Sequence, residues 1–198
     1  GIGPHLVTGP LYHAAPLGFA LMDLLAGAPV QVMPRWDERT FLDAVVLERI
    51  RTTHLVPTMC VRLLRLSDDD RRRGDVQGLH TVLHGAAPIA PSTKRAMIEW
   101  VGDAFVEYWG GSEGGVVTLC PASSWLEHPG TVGRALPHYE VYAGTDDGEP
   151  LAAGTEGLLF ARHRTAEQVF TYFGDEAKTT AAHPRPGTYS LGDVGRVD

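Results

Sequence analysis

Between His5 and Val106 the chain alternates two kinds of apolar segment. Short runs (His5-Leu6-Val7-Thr8, Val30-Gln31-Val32-Met33, His54-Leu55-Val56-Pro57 and Thr81-Val82-Leu83-His84) have the length and content of buried strands. The stretches between them repeat their apolar residues at helical spacing. Pro16 to Ala26 reads as a helix with Pro at its start and Gly27 as its stop. It is apolar nearly all round, which predicts burial. Asp37 caps a second helix running to about Arg51, with Phe41, Ala44, Val45 and Ile50 at helical spacing. Thr58 to Leu66 is a third helix, ended by the charged run Asp68 to Gly74, and Pro91 to Val101 is a fourth. Strands alternating with helices of roughly 10–15 residues predict parallel βαβ units. There is no internal sequence repeat at a fixed period.

Beyond Gly115 the texture changes. Val116-Val117-Thr118-Leu119 reads as a strand, and Cys120 to Pro129 as a loop. From Gly130 onward short β runs are separated by turns, with no long helical pattern. Glu140 to Ala143 and Leu158 to Ala161 read as strands, and Asp146-Asp147-Gly148 as a hairpin-type turn. The expected fold class is α/β. A βαβ parallel-sheet subdomain covers residues 1–128, and a mostly antiparallel β segment covers 129–198.

Composition narrows the function classes. The chain has 198 residues, 43% hydrophobic and 21% charged, which is an ordinary soluble globular balance. A formal net charge of −7 gives no basic surface for nucleic acid. Arg71-Arg72-Arg73 follows Asp68-Asp69-Asp70, and such neighbouring charges read as a solvated loop. Two distant cysteines, Cys60 and Cys120, form no disulfide framework, so a reducing cytosol is expected. No apolar run approaches the ~20 residues of a transmembrane segment. The opening Gly1-Ile2-Gly3-Pro4 has no signal-peptide character, and both ends read as cuts within a longer chain.

The candidate chemistry centres on Val106 to Gly115, Val-Glu-Tyr-Trp-Gly-Gly-Ser-Glu-Gly-Gly. A short buried strand ending near Val106 is expected to open into a loop here. Glycines let a backbone approach a ligand closely. Ser112 offers a hydroxyl to a phosphate oxygen, and Glu113 offers the hard oxygens Mg²⁺ prefers. Tyr108 or Trp109 offers a flat face for a base. The same residues also suit a Gly-rich turn with two core aromatics. Thr81 to His84, Gly85-Ala86-Ala87-Pro88 and the helix from Pro91 form a strand, turn and helix that can bring backbone amides to a ligand, or serve as a structural turn. No Gly-x-x-x-x-Gly-Lys-Ser/Thr is present, so this is not a P-loop.

Taken together, the stretches resemble the adenylate-forming enzymes in the form acyl-CoA synthetases carry. Glu107 to Gly115 is similar to their Glu-Tyr-Tyr-Gly-Ser-Thr-Glu-Gly-Gly, with Trp109 for the second Tyr and Ser112 for Thr. Leu11-Tyr12-His13-Ala14-Ala15 resembles the family's Pro-Leu-Tyr-His-Ala-Ala, and Gly85-Ala86-Ala87-Pro88 its Gly-Gly-Ala-Pro with Ala86 for the second Gly. Gly130 to Pro137 and Gly154 to Leu159 look like its Gly-x-Val-Gly-x-x-x-Pro and Gly-x-x-Gly-x-Leu segments, which open its small β-barrel. Phe170 to Phe173 with Asp175 to Ala182 resembles its Gly-Tyr-x-x-x-Pro-Glu-x-Thr, with Thr171 for the Gly, and Tyr189 to Gly195 resembles its Thr-Gly-Asp motif, with Leu191 for Thr.

The resemblance implies a two-step ligase that joins a carboxylic acid to ATP as an acyl-adenylate and passes the acyl group to CoA. Ser112 and Glu113 would act on the phosphates, with Glu113 holding Mg²⁺. His13 would border the acyl pocket near the thiol's path. Gly85, Ala86, Ala87, Tyr108, Trp109, Gly110, Gly111 and Ser112 would line the nucleotide, and Asp193 would hold the ribose. The setting it suggests is fatty-acid metabolism, and a homodimer is compatible with it. The family's phosphate loop and its C-terminal catalytic lysine have no match: the chain's two lysines, Lys94 and Lys178, lie in other contexts. The chain alone is therefore expected to be inactive. Two alternatives stand beside this reading: a non-catalytic nucleotide- and acyl-binding module of the same fold, and an acyl-AMP ligase feeding a carrier protein.

Overall fold

A computed structural model describes residues 3–74 and 76–198. The chain forms two compact units. The first holds residues up to Trp109 together with Leu119–Gly133, and the second holds Gly110–Thr118 and Arg134–Asp198.

In the first unit, strands β1 (His5–Val7), β2 (Val30–Val32), β3 (Thr52–Leu55), β4 (Thr81–His84) and β5 (Phe105–Gly111, which leaves the unit after Trp109) lie in the order β2-β1-β3-β4-β5. Every pairing among them is parallel. Helices α1 (Ala14–Leu25), α2 (Glu38–Leu47), α3 (Pro57–Leu64), α4 (Asp68–Arg73) and α5 (Pro91–Val101) fill the connections. The βαβ reading therefore stands. The expected cap is present, since the Asp37 carboxylate accepts from the Thr40 amide at 2.8 Å. Period-2 alternation puts Leu6, Leu55, Val82 and Phe105 on one face of the sheet. There they pack with Phe41, Leu42 and Val45 of α2, Leu63 of α3, and Met97, Ile98 and Val101 of α5 in one buried core.

Four expectations change. Asp68 to Arg73 is a helix and not a loop. Ser67 caps it by accepting from the Asp70 amide at 3.1 Å. Its three acids lie at the positive end of the helix dipole and its three arginines at the negative end. Arg39 adds a two-pronged hold on Asp70 at 2.8 and 3.0 Å, which keeps that carboxyl down at about 2. Within Cys120 to Pro129, residues Ala122–Glu127 form helix α6, whose Ala122 and Trp125 join the core. Helix α1 is not buried: only Pro16 and Ala20 are covered, while Met22, Leu24 and Leu25 are exposed. It rests on β1 and β3 with one side. Apolar composition gives the environment a helix prefers, but not what lies against it. Finally, the glycine-rich stretch is mostly strand: β5 runs on through Gly111, Ser112 to Gly114 form a tight turn, and strand β6 (Gly115–Cys120) begins at once.

In the second unit β7 (Arg134–Ala135) leads to an antiparallel sheet, β10-β9-β8, of β8 (Tyr139–Gly144), β9 (Gly157–His163) and β10 (Thr188–Gly195). A short helix α7 (Glu176–Ala182) precedes β10, capped by Asp175 accepting from the Lys178 amide at 2.8 Å. The register of β10 shifts between Ser190 and Val194, a bulge that contains Gly192 (φ 87°) and Asp193. Tyr139, Phe160, Ala161, Thr188 and Tyr189 form its buried centre.

Candidate functional site

The residues singled out in the sequence fall into two groups, one in each unit. In the first, β4 ends at His84 and the chain turns through Gly85, Ala86 and Ala87. The register pairs His84 with Glu107, so Gly85 arrives beside Tyr108. A β-carbon on Gly85 would come within 2.7 Å of the Tyr108 carbonyl and 2.8 Å of its ring, so only glycine fits. Ala86 takes φ 65°, the left-handed region in which an L side chain is strained. The position where the family resemblance leads one to look for glycine is thus one where glycine suits the backbone. Ala86→Gly should stabilise the protein by about 1 kcal/mol, read as a higher urea midpoint. An unchanged or lower midpoint would count against the strain.

Tyr108 is only 7% exposed. Its hydroxyl shares a 3.1 Å hydrogen bond with His54 Nε2, and the Phe19 ring meets it edge-on at 5.3 Å. Burial pushes the phenol up to about 12, so it stays protonated. Trp109, next along β5, is half-buried. His13 is exposed at the start of α1, with its ring 4.5 Å from that of Tyr12, and its side chain makes no cap bond.

Two buried histidines frame this strand end. Burial, with His5 beside it, holds His54 down at about 4. Burial, with Lys94 and His54 nearby, holds His84 down at about 3. Released by unfolding, each returns to its ordinary value of 6.5. The unfolded chain therefore takes up protons first as pH falls. Their contribution is complete above about pH 6.5 and is lost as pH falls through about 4 for His54 and about 3 for His84, roughly 3 and roughly 5 kcal/mol at the limit. Thermal unfolding across that range should show Tm falling steadily, and less steeply in His84→Phe. Equal slopes for the two proteins would remove His84 from this account.

In the second unit the turn Ser112 to Gly114 is held from below. The Tyr139 hydroxyl donates to the Gly114 carbonyl at 2.8 Å. The Tyr189 hydroxyl fills the space where a Gly114 β-carbon would stand, and Leu191 of β10 closes on Gly111. Glu113 is exposed, and its Oε1 accepts from the Tyr172 hydroxyl at 3.3 Å. Partial burial and the Glu113 carboxylate keep that phenol above its usual range. This unit therefore brings the Gly110–Glu113 stretch against the segment Leu191-Gly192-Asp193. Among the described residues no three His, Cys, Asp or Glu side chains converge as a metal cage. An exposed single carboxylate suits Mg²⁺ that arrives with phosphates and keeps most of its waters.

Sequence reasoning missed the supports: His54 and Tyr139 carry no motif and look like ordinary strand residues, and Tyr189, although it opens the stretch matched to Thr-Gly-Asp, has no signal for its place under the turn. Tyr172 lies within a motif, but its hydrogen bond to Glu113 has no sequence signal.

A family model described as AMP-binding enzyme matches residues 4–170. The chain is 31% identical over 196 residues to a feruloyl-CoA synthase of an Amycolatopsis species, covering 98% of this chain and 38% of the relative. It is 26% identical over 200 residues to an indoleacetate–CoA ligase of Aromatoleum aromaticum, covering 98% and 37%. Among solved structures, an amide bond synthetase from Marinactinospora thermotolerans superposes with a TM-score of 0.90 at 26% identity, covering 100% of this chain and 40% of that one. The chain thus spans well under half the length of these relatives.

Proposed function

The chain belongs to the family of AMP-binding enzymes, and from that membership we propose that it is the central part of an ATP-dependent acid–thiol ligase. The observation that carries the reading is the Ser112–Gly114 turn, propped by Tyr139 and Tyr189 and abutting the Leu191–Asp193 segment. In the reaction a carboxylate oxygen attacks the α-phosphorus of ATP and the bond to pyrophosphate breaks. The thiolate of CoA then attacks the acyl carbonyl and AMP leaves. Both steps depend on positioning and charge neutralisation.

On this reading Ser112 donates its hydroxyl to a phosphate oxygen, and Glu113 holds the magnesium that accompanies ATP. Magnesium would there neutralise phosphate charge. Trp109 flanks the adenine, with Gly85 to Ala87 and Gly110 to Gly111 against the nucleotide. Tyr108, its ring between Gly85 and Phe19, serves the nucleotide by fixing the strand that carries Trp109. Asp193, carried on a bulge that re-aims its side chain, accepts from ribose hydroxyls. His13 borders the route of acid and thiol. Two buried, unpaired thiols support a reducing cytosol as the compartment.

Neither lysine of the chain lies in the sequence context of the family's catalytic lysine. Lys94 is wholly buried on Glu107, and the Lys178 ammonium lies 4.0 Å over the Tyr172 ring. The 198-residue chain by itself should therefore form no acyl-adenylate; hydroxamate trapping of such a product would show otherwise.

The test of the main proposal is pyrophosphate release by the full-length protein across fatty, aromatic and arylalkyl acids, with CoA and with amines as acceptors. The names of the relatives support including indole-type and cinnamate-type acids. Thioester formation is the expected product. Absence of pyrophosphate with every acid class would refute a ligase. An amide in place of a thioester would move the acceptor toward the chemistry named for the amide bond synthetase.

A further inference from the structure

Helix α5 and strand β5 share a buried ion pair that the reaction as proposed does not use. Lys94 is 0% exposed, and its ammonium donates to Glu107 Oε2 while lying 5.0 Å over the Trp125 ring. The Glu107 side chain is 11% exposed. Beside it is His84, the register partner of Glu107, stacked on Phe105 at 4.2 Å with neither ring nitrogen in a hydrogen bond. A chain with two lysines has placed one of them entirely inside. Stability does not account for that, because an apolar pair of similar shape serves a core as well as a buried ion pair or better.

Position does account for it. Glu107 points to one face of the sheet and Tyr108 to the other. On the first face Glu107 is tied to α5 through Lys94, and on the second Tyr108 is tied to His54 of β3. Sliding β5 by one residue would exchange the faces and break both ties at once. The next residue along is Trp109.

We propose that Lys94 and Glu107 are positioning residues whose buried pair holds β5 in the one setting that presents Trp109 to the adenine of the nucleotide. The proposal rests on the ligase reading above. Wild-type full-length protein is therefore assayed first, and a wild type without pyrophosphate release would be a failure of that reading alone.

The test is the double variant Lys94→Met/Glu107→Leu, which removes both charges together, with Glu107→Gln as a second variant of unchanged size. Each protein is also labelled with 5-fluorotryptophan, and the Trp109 resonance is assigned through Trp109→Phe. The expected result is a Tm close to wild type for the double variant and a lower one for Glu107→Gln, which leaves the Lys94 ammonium buried without a counter-charge, with, in both, a KM for ATP raised tenfold or more, a KM for the acid unchanged, and a Trp109 fluorine resonance that is shifted or broadened. The fluorine signal reads position whether or not the protein turns over. A wild-type KM for ATP with a wild-type Trp109 resonance would overturn the proposal. So would parallel losses in both KM values, or unfolding of both variants, which would make the pair a stability element.

Discussion

Glu113→Gln in the full-length protein should lower the adenylation rate on the order of a hundredfold, the scale on which losing one charge-stabilising group at a transition state acts. The same substitution should shift stability by no more than about 1 kcal/mol. The structure separates the two outcomes. Glu113 is exposed at the tip of a tight turn, and its carboxylate accepts from the Tyr172 phenol at 3.3 Å, a bond that an amide oxygen can also accept. The turn is held instead by Tyr139 on the Gly114 carbonyl and by Tyr189 beneath. If Glu113 were only a brace, Gln would keep the shape, keep the hydrogen bond and keep the rate. Adenylation at saturating and limiting Mg²⁺, together with thermal unfolding of the same sample, decides the matter. Full activity at both magnesium levels would remove the metal role from Glu113.

Gly114→Ala should have the largest effect on folding, a loss of about 3 kcal/mol. The new methyl would land on the Tyr189 hydroxyl. That side chain has nowhere to go: it is wholly buried, edge-on to Phe170 at 5.5 Å and to Tyr139 at 6.3 Å, with His183 at 6.4 Å. Tyr189→Phe removes the colliding oxygen and should return part of the loss in the Gly114→Ala background, a coupling of about 1 kcal/mol in a double-mutant cycle. Urea denaturation of the four proteins measures it. Gly114→Ala at wild-type stability, or strictly additive effects, would mean that the turn adjusts around the methyl.

How far the molecule was legible in its sequence follows from what each segment depends on. Val82, Leu83 and the residues of α5 declare themselves because a buried strand and an amphipathic helix are periodic, and Asp37 because a cap is a local bond. The helix Asp68–Arg73 hid because its stabilisation is electrostatic and leaves no apolar period. The exposed side of α1 hid for the opposite reason: its composition is plain, but what covers a helix is a property of its surroundings. The strand character of Tyr108 to Gly111 was masked by glycines, which ordinarily weaken strands and here fit where β-carbons would collide. At the candidate site the motif residues Gly85, Ser112, Glu113 and Asp193 could be picked out. The Tyr139, Tyr172 and Tyr189 phenols and His54 could not, since a tyrosine or histidine in a strand says nothing of which backbone or side chain it will meet.

The two cysteines offer a way to watch the halves of the molecule separately. Cys60 and Cys120 are both fully buried in the first unit, and burial pushes the Cys60 thiol up to about 12 and raises that of Cys120. A thiol in that state reacts with a disulfide reagent only when its surroundings open, so the labelling rate at low denaturant is a clock for transient opening. The second unit contains no cysteine. A lesion such as Gly114→Ala that loosens only its own unit would leave the clock running at its native pace, whereas one that breaches the first unit would speed it.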